Sequence, residues 1–457
     1  MKGNNSEKKL SLFDSTAIIV GSMIGSGIFI VSAEIARQVQ TPGMLLLAWV
    51  ITGVITVFAA LCYGELAAAM PKAGGQYVYI KEAFGPLYGF LYGWTLFTVI
   101  QTGTIAAVAV AFAKFTGVFF PSISGDNHLL ELGKFSISSQ QVLAVVIIIF
   151  LSVYNFRNVK AGAFLQNIFT VSKVLALLLL IILGIYFGMK GYGSMDNFKP
   201  AFPSLITLAT IGMFGAAMTG SLFSADAWNS ITFTAGEVKN PKRNLPLSLF
   251  LGTSIVILLY LLANFAYIFV LPMEKIQHAE NDRVATLLME TILGDSGKFF
   301  MAGMIMVSTF GCLNGCIFTA ARVYYAMAKD KMFLKPAAKL NKNDVPANSL
   351  IMQCIWSCLL CFTGTYGDLL NYIMFAVMLF YILTISGLFV LRKKRPDMER
   401  PYKAFGYPVI PIIYIILAIL VAANMLIYQT DFSLYGLIII LTGIPVYYLF
   451  KRTSLRE

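Results

Sequence analysis

The sequence contains few charged residues for its length. Only 12% of its 457 residues are Asp, Glu, Lys or Arg, whereas a soluble domain carries about 25%. Hydrophobic residues make up 58% of the chain, and the mean hydropathy is +0.77. A chain of this composition cannot bury its apolar surface in one aqueous core. The sequence therefore predicts an integral membrane protein.

Residues typical of enzyme active sites and metal centres are also scarce. The two histidines, His128 and His278, lie in predicted loops, and neither has a Ser-His-Asp or metal-ligand spacing around it. The sequence has no G-x-x-x-x-G-K-[ST] phosphate loop. We therefore expect a non-enzymatic protein with no catalytic residue, no metal site and no cofactor, and with no ATP-driven step of its own.

Cysteine is missing from the predicted outer loops. All six cysteines fall in predicted membrane spans, so we expect no disulfide framework. Cys354, Cys358 and Cys361 have a C-x3-C-x2-C spacing that an iron–sulfur cluster can use. They lie on an apolar helix with no open loop to wrap a cluster, and we interpret them as small packing residues.

Hydrophobic residues group into twelve stretches near or above the ~20 residues that cross a bilayer. Most of the 34 Lys and Arg residues lie in the termini and the even-numbered connections. This asymmetry predicts that both termini are cytoplasmic, and it explains the net charge of +12 without a nucleic-acid partner. The predicted spans are 13–38, 43–69, 86–119, 139–156, 162–188, 204–234, 246–271, 297–327, 347–364, 369–391, 407–428 and 433–450.

The first span contains the segment GSMIGSGIF, residues 21–29, although glycine costs roughly 1 kcal/mol against alanine inside a helix. One interpretation is close helix packing through Gly21-x-x-x-Gly25. The other is a broken helix, which survives in lipid only where it lines a cavity. A break exposes amides that attract an anion and carbonyls that attract a cation. An α-amino acid carries both charges close together.

The sixth span carries a second Gly/Ser cluster, GSLFSADAWNS, residues 220–230, with Asp226 at mid-membrane depth. Two interrupted helices in corresponding positions indicate a transporter site between inverted repeats. This pattern favours the broken-helix interpretation. It predicts a 12-helix, all-α membrane protein with two repeats of five helices and with helices 1 and 6 broken.

Six stretches in chain order resemble amino acid permeases of the APC superfamily, and five of them are similar to the L-type amino acid transporter family. The resemblance implies a LeuT-type fold and a stand-alone prokaryotic member. The stretches are GSMIGSGIF (21–29), ALCYGELAAAMPKAGGQYVYIKEAFG (60–85), WNSITFTAGEVKNPKRNLP (228–246), STFGCLNGCIFTAAR (308–322), RPYKAFGYPVIP (400–411) and LTGIPVYYLF (441–450).

The resemblance also implies roles for site residues. Ile24, Gly25, Ser26 and Gly27 resemble the segment whose amides hold a substrate carboxylate. Residues 223–225 resemble the segment whose carbonyls help to hold the amine. The members of that second segment are Phe223, which is implied to be an outer gate, Ser224 and Ala225.

Lys173 is a charged residue at the centre of a span, which is costly and usually functional. The resemblance places this lysine where sodium-coupled relatives of the same fold hold a sodium ion. Its ammonium group could then bond carbonyls of the broken first helix and the hydroxyl of Ser308 or Thr309. The alternatives are a structural lysine that snorkels to a water-filled face and a proton shuttle.

Two features depart from the family pattern. Animal members join a heavy chain through a cysteine in the loop after helix three, but residues 121–138 contain none, so no disulfide-linked heavy chain is expected. Family members commonly have small residues where this chain has Asp226. Its carboxylate has three interpretations: contact with a substrate, titration by protons, and capping of broken backbone.

The expected domains are a cytosolic tail (1–11), two inverted repeats (12–190 and 200–395), and spans 11–12 with a cytosolic tail (404–457). The expected function is sodium-independent transport of small to medium L-amino acids across the plasma membrane by alternating access, as an exchanger. The alternatives are a proton-coupled symporter, with cationic substrates among its options, and a membrane amino acid sensor that transports nothing. The expected partners are the amino acid and the lipid bilayer.

Overall fold

The computed structural model describes residues 10–72, 74–132, 135–157, 159–343, 345–363 and 366–454. Most of these residues are helical. The α-helices are α1 (Leu12–Met23), α2 (Gly27–Val39), α3 (Pro42–Ala69), α4 (Gln76–Phe84), α5 (Pro86–Thr95), α6 (Gln101–Thr116), α7 (Ser139–Arg157), α8 (Val159–Phe187), α9 (Leu208–Ser224), α10 (Pro241–Val270), α11 (Met273–Gln277), α12 (Val284–Lys329), α13 (Ala347–Leu360), α14 (Tyr366–Lys394), α15 (Val409–Tyr428) and α16 (Thr430–Ser454).

Short elements join these helices. The π-helical turns are Leu96–Ile100, which connects α5 to α6, and Gly188–Tyr192. The 3₁₀ helices are Met195–Phe198, Trp228–Glu237, Glu280–Asp282 and Lys335–Ala338. The strands β1 (His128–Leu132) and β2 (Phe135–Ser138) pair as an antiparallel hairpin.

The apolar helices confirm a multi-pass membrane protein. Ten helical stretches of the described chain are long and apolar enough to cross a bilayer, and the count is eleven if α1 and α2 form one bent span. Helix α13 coincides with the predicted ninth span, but it is a shorter apolar helix of 14 residues. The total of twelve spans therefore stays a prediction.

Two local differences separate the structure from the sequence prediction. Helix α12 begins at Val284, whereas the predicted span begins at residue 297. The hydropathy signal was interrupted by Glu290 and Asp295, while the chain stays helical on both sides of Gly294 at φ +66°. The segment 121–138, which the sequence predicted only as a loop, also contains most of the hairpin of β1 and β2 within its described residues.

Both predicted helix breaks are present in the structure. Helix α1 ends at Met23, α2 begins at Gly27, and their axes are bent by 44°. Helix α9 ends at Ser224, and a 3₁₀ helix begins at Trp228 after Ala227, which has a left-handed φ of +66°. The assignment of two inverted repeats, 12–190 and 200–395, stays a prediction.

Several glycines bring the broken helices close to their neighbours. A Cβ on Gly21 would collide with Thr170 of α8, and a Cβ on Gly27 would lie 3.0 Å from the Cα of Ser224. Gly21 of the Gly21-x-x-x-Gly25 pattern is therefore closely packed, as is Gly27, and the helix that carries them is also broken. The small residues let the two breaks lie directly against each other.

Candidate functional site

A cavity of about 560 Å³ lies beside the two helix breaks. It extends from Ser22 and Asp226 to Leu10, Phe13 and Glu237, at the start of α1 and the end of the second 3₁₀ helix. Phe13 is 81% exposed, so the cavity opens at this end. We call this end of the bundle the N-terminal face.

Lys173 connects α8 to the first break. Its side chain is fully buried, and its Nζ donates a hydrogen bond of 2.5 Å to the carbonyl of Gly21. Gly21 lies in the last turn of α1, where carbonyls have no partner within the helix. A cation there is favoured by the helix dipole as well as by the hydrogen bond. The predicted contact with a first-helix carbonyl is thus part of the structure.

The two hydroxyls suggested as further partners of Lys173 are arranged differently. The Oγ1 of Thr309 donates within its own helix, to the carbonyls of Ile305 and Met306. The Oγ of Ser308 is buried and has no hydrogen-bond partner among the described residues. The structure therefore places a spare hydroxyl on α12 but gives no bond between it and the ammonium group.

Asp226 is the one predicted substrate-contact residue that lines the cavity. Its Oδ1 accepts a hydrogen bond of 2.5 Å from the hydroxyl of Tyr381 on α14, and the backbone N–H of Ala227 is a second neighbour. The residue that caps the following 3₁₀ helix is Ala227, which has no side-chain cap bond. The carboxylate therefore joins the second break to α14, while it remains on the cavity wall.

The other predicted contact residues lie just behind the cavity wall. Ile24, Gly25, Ser26 and Gly27 are all buried between α1 and α2. A Cβ on Gly25 would lie 3.3 Å from the Sγ of Cys312, and Cys312 does line the cavity. The remaining members, at the end of α9, are Phe223, which is partly buried, and Ser224 and Ala225, which are buried.

Tyr260 of α10 links the two breaks. Its hydroxyl lies 2.8 Å from the carbonyl of Met23 and 3.1 Å from the carbonyl of Ser224. These carbonyls belong to the last residues of α1 and α9, and both point to the same hydroxyl. The carbonyl ends of α1 and α9 therefore converge on this buried hydroxyl.

The chain is similar to known amino acid transporters over nearly its whole length. The amino acid permease family model matches residues 10–450. This chain belongs to the amino acid permease family. It is 31% identical over 454 residues to the b(0,+)-type amino acid transporter 1 of Mus musculus, covering 98% of this chain and 89% of the relative. It is 32% identical over 452 residues to the large neutral amino acids transporter small subunit 2 of Homo sapiens, covering 97% and 80%.

These relatives confirm the resemblance to the L-type amino acid transporters, and they support a transporter in place of an enzyme. They do not identify individual site residues. The roles of Ile24 to Gly27, Phe223 to Asp226, Lys173, Ser308 and Thr309 therefore rest on the geometry above and stay predictions.

A second cavity of the permease, of about 590 Å³, lies on the opposite face. The packing of α2 on α9 separates it from the first one. Asp282 sits on its wall and binds Arg37 of α2 at 2.8 Å and Lys114 of α6 at 3.2 Å. Burial of this loop carboxyl raises its pKa, but Lys114 and Arg37 outweigh that effect and hold the pKa below its usual range.

Sequence reasoning missed several residues that contact the two helix breaks. Tyr381 and Tyr260 appear in the sequence as aromatic residues within apolar helices, and nothing local indicates which break they face. Ser22 and Ser230 face each other across the breaks at an Oγ–Oγ distance of 3.0 Å. The only available signal was their membership of the two Gly/Ser clusters.

Proposed function

We propose that this permease is a sodium-independent amino acid exchanger that works by alternating access. The observation that carries the proposal is the Lys173 ammonium group on the carbonyl of Gly21. A fixed positive charge at the end of α1 supplies what a bound cation would supply there. The membership of the family, with relatives of the L-type, supports the same function.

The substrate would lie between the two breaks. The N-terminal amides of α2 offer donors to its carboxylate, since the first amides of a helix have no intrahelical acceptor. The carbonyl ends of α1 and α9, which converge at Tyr260, offer acceptors to its amine. The cavity of about 560 Å³ has room for a small to medium L-amino acid and leads it to the N-terminal face.

The protein lies in the plasma membrane with both termini in the cytoplasm. In this orientation the cavity of about 560 Å³ opens to the cytoplasm. The distribution of Lys and Arg supports this orientation. The lack of cysteine in residues 121–138 supports a transporter without a disulfide-linked heavy chain. Neither the charge pattern nor the site geometry calls for a nucleic-acid partner.

Counterflow in liposomes tests the proposal. Vesicles loaded with unlabelled amino acid should take up labelled amino acid, empty vesicles should not, and replacing sodium with choline should change nothing. Uptake that needs a pH gradient and no internal substrate would favour the proton-coupled alternative, which the relatives do not favour. Binding without any uptake would indicate a sensor.

A thermal-shift screen of the twenty amino acids identifies the ligand, because a ligand of the folded state raises stability.

A further inference from the structure

Two cysteines line the transport cavity one helical turn apart. Cys312 and Cys316 lie on α12, which carries side chains four residues apart on the same face. Side chains four residues apart on a helix have Cβ atoms about 5–6 Å from each other. The two sulfur atoms are therefore close enough to bind one atom together, and they do so at a surface that the cavity makes accessible.

The pair also lies against the first break. The Sγ of Cys312 is 3.3 Å from the position that a Cβ on Gly25 would occupy. The charged end of Lys173, which holds α1 at Gly21, lies near the same thiol. Any group added to the pair would therefore occupy the space next to the Gly25 backbone.

The chain contains a matched pair elsewhere. Cys354 and Cys358 have the same four-residue spacing on α13. Neither of them lines the cavity beside the breaks. This second pair separates the effect of having two neighbouring thiols from the effect of having them in the cavity.

We propose that Cys312 and Cys316 form a dithiol site for trivalent organoarsenicals in the wall of the transport cavity. Thiolates are soft ligands and good nucleophiles, and they suit a soft centre such as arsenic(III). In the reaction with an arsonous acid, two As–O bonds break and two As–S bonds form. The two thiol protons leave with the two oxygens as water. Neither arsenic nor sulfur changes its oxidation state, so no oxidant is required.

The adduct should block transport because it places a bulky group between the cavity and the Gly25 amide. This block rests on the proposed function, whereas formation of the adduct does not. Two anchoring sulfurs make the second bond intramolecular, and such an arrangement raises apparent affinity by about 100-fold or more over one anchor. A single Cys→Ser change at the pair should remove that gain.

The test uses phenylarsine oxide on the full-length protein in liposomes, in a Cys354→Ser/Cys358→Ser background. We expect intact-mass analysis to find one phenylarsenic group and the loss of two titratable thiols, with counterflow blocked. A dithiol, 2,3-dimercaptopropanol, should restore transport where an equal thiol concentration of 2-mercaptoethanol does not. Excess amino acid substrate should slow the reaction.

The decisive comparison is between variants that keep one pair each. Adding Cys312→Ser or Cys316→Ser should raise the concentration for half-maximal inhibition by about 100-fold, measured against each variant's own untreated rate. A Cys312→Ser/Cys316→Ser protein that keeps Cys354 and Cys358 should bind the reagent without a block. Equal sensitivity of all variants, or a mass adduct that persists after loss of both cavity thiols in the Cys354→Ser/Cys358→Ser background, would overturn the proposal. If the protein transports nothing, the mass and thiol counts still decide it.

Discussion

The Nζ of Lys173 and the carbonyl oxygen of Gly21 lie 2.5 Å apart in the interior of the bundle. This hydrogen bond ties α8 to the half-helix α1, which forms one wall of the cavity. A charged donor compensates a carbonyl that the helix itself leaves without a partner. The same bond compensates a charge that would otherwise be costly within the membrane.

The hydrogen bond from Lys173 to Gly21 should stabilise the position of α1 that binds substrate by about 1.5–3 kcal/mol, the usual contribution of a hydrogen bond to a charged group. Because about 1.4 kcal/mol is a factor of ten, we expect Lys173→Met, which removes this bond, to weaken substrate binding at least tenfold. Ligand-dependent thermal shift and counterflow measure the effect. Sodium should not restore activity to the variant, and it should not stimulate the wild type. A strong sodium stimulation of the wild type would contradict the role assigned to Lys173.

The two glycines of the first break should respond differently to alanine. A Cβ on Gly25 would meet only the Sγ of Cys312 at 3.3 Å and the carbonyl of Met23 at 3.9 Å, whereas a Cβ on Gly27 would meet the backbone of Ser224. We expect Gly27→Ala to lower stability by about 1–3 kcal/mol through overpacking. Gly25→Ala should leave stability nearly unchanged and weaken substrate binding. Melting curves with and without substrate separate the two effects, and normal substrate affinity in Gly25→Ala would return this glycine to a packing role.

The sequence predicted the spans and breaks better than the site. Long apolar runs and Gly/Ser clusters are local signals, so the break between Met23 and Gly27 could be predicted once the cluster at residues 21–29 was matched by the second one at residues 220–230. The partner of Lys173 could be placed on the first helix only through the family resemblance. The bond between Asp226 and Tyr381 joins residues 155 positions apart, and no local pattern shows which helices become neighbours. The same limit hid the position of Cys312 beside Gly25.

Asp226 should determine how well the cavity accepts positive charge on a substrate. Asp226→Asn keeps an acceptor for the Tyr381 hydroxyl but removes the negative charge from the cavity wall. We expect it to weaken binding of amino acids with cationic side chains more than binding of neutral ones. Tyr381→Phe is the matched control, because it removes the hydrogen bond and leaves the carboxylate. Competition assays across pH 5–8 report both effects, and an unchanged ligand profile and pH profile in Asp226→Asn would leave this residue only a structural role.

The ion pairs of Asp282 with Arg37 and Lys114, at the wall of the second cavity, should stabilise the folded protein in a pH-dependent way. The pKa of Asp282 in the folded protein lies below its usual value, so the carboxylate contributes stability above about pH 4 and loses it as the pH falls further. Asp282→Asn should therefore lower the melting temperature at pH 7, and the difference from the wild type should shrink below pH 4. Glu131→Gln, at an exposed position of the hairpin, is the control. A melting-temperature difference that grows in acid would contradict this assignment.

Helix α1 and the 3₁₀ helix Trp228–Glu237 are fastened to each other at both ends. Near the breaks, Ser230 donates to Ser22. At the N-terminal face, Leu10 forms a parallel β-bridge with Val238, in which the Leu10 N–H donates to Glu237 and the Leu10 carbonyl accepts from Lys239. Each element contributes one wall of the same cavity. We therefore expect α1 and the 3₁₀ helix Trp228–Glu237 to move as one unit when this cavity opens and closes.

A cross-link at the bridge tests that coupling. Neighbouring strand positions lie about 4.8 Å apart, which is within the Cα separation that a disulfide allows, so Leu10→Cys/Val238→Cys should oxidise readily. If α1 and the 3₁₀ helix move together, the oxidised protein should exchange amino acids at the rate of its reduced form. Leu10→Cys alone and Val238→Cys alone, treated with the same oxidant, control for damage to the six native thiols. The opposite result would be a loss of exchange in the oxidised double variant that reduction restores and that neither single variant shows. It would show that α1 and the 3₁₀ helix Trp228–Glu237 separate during transport.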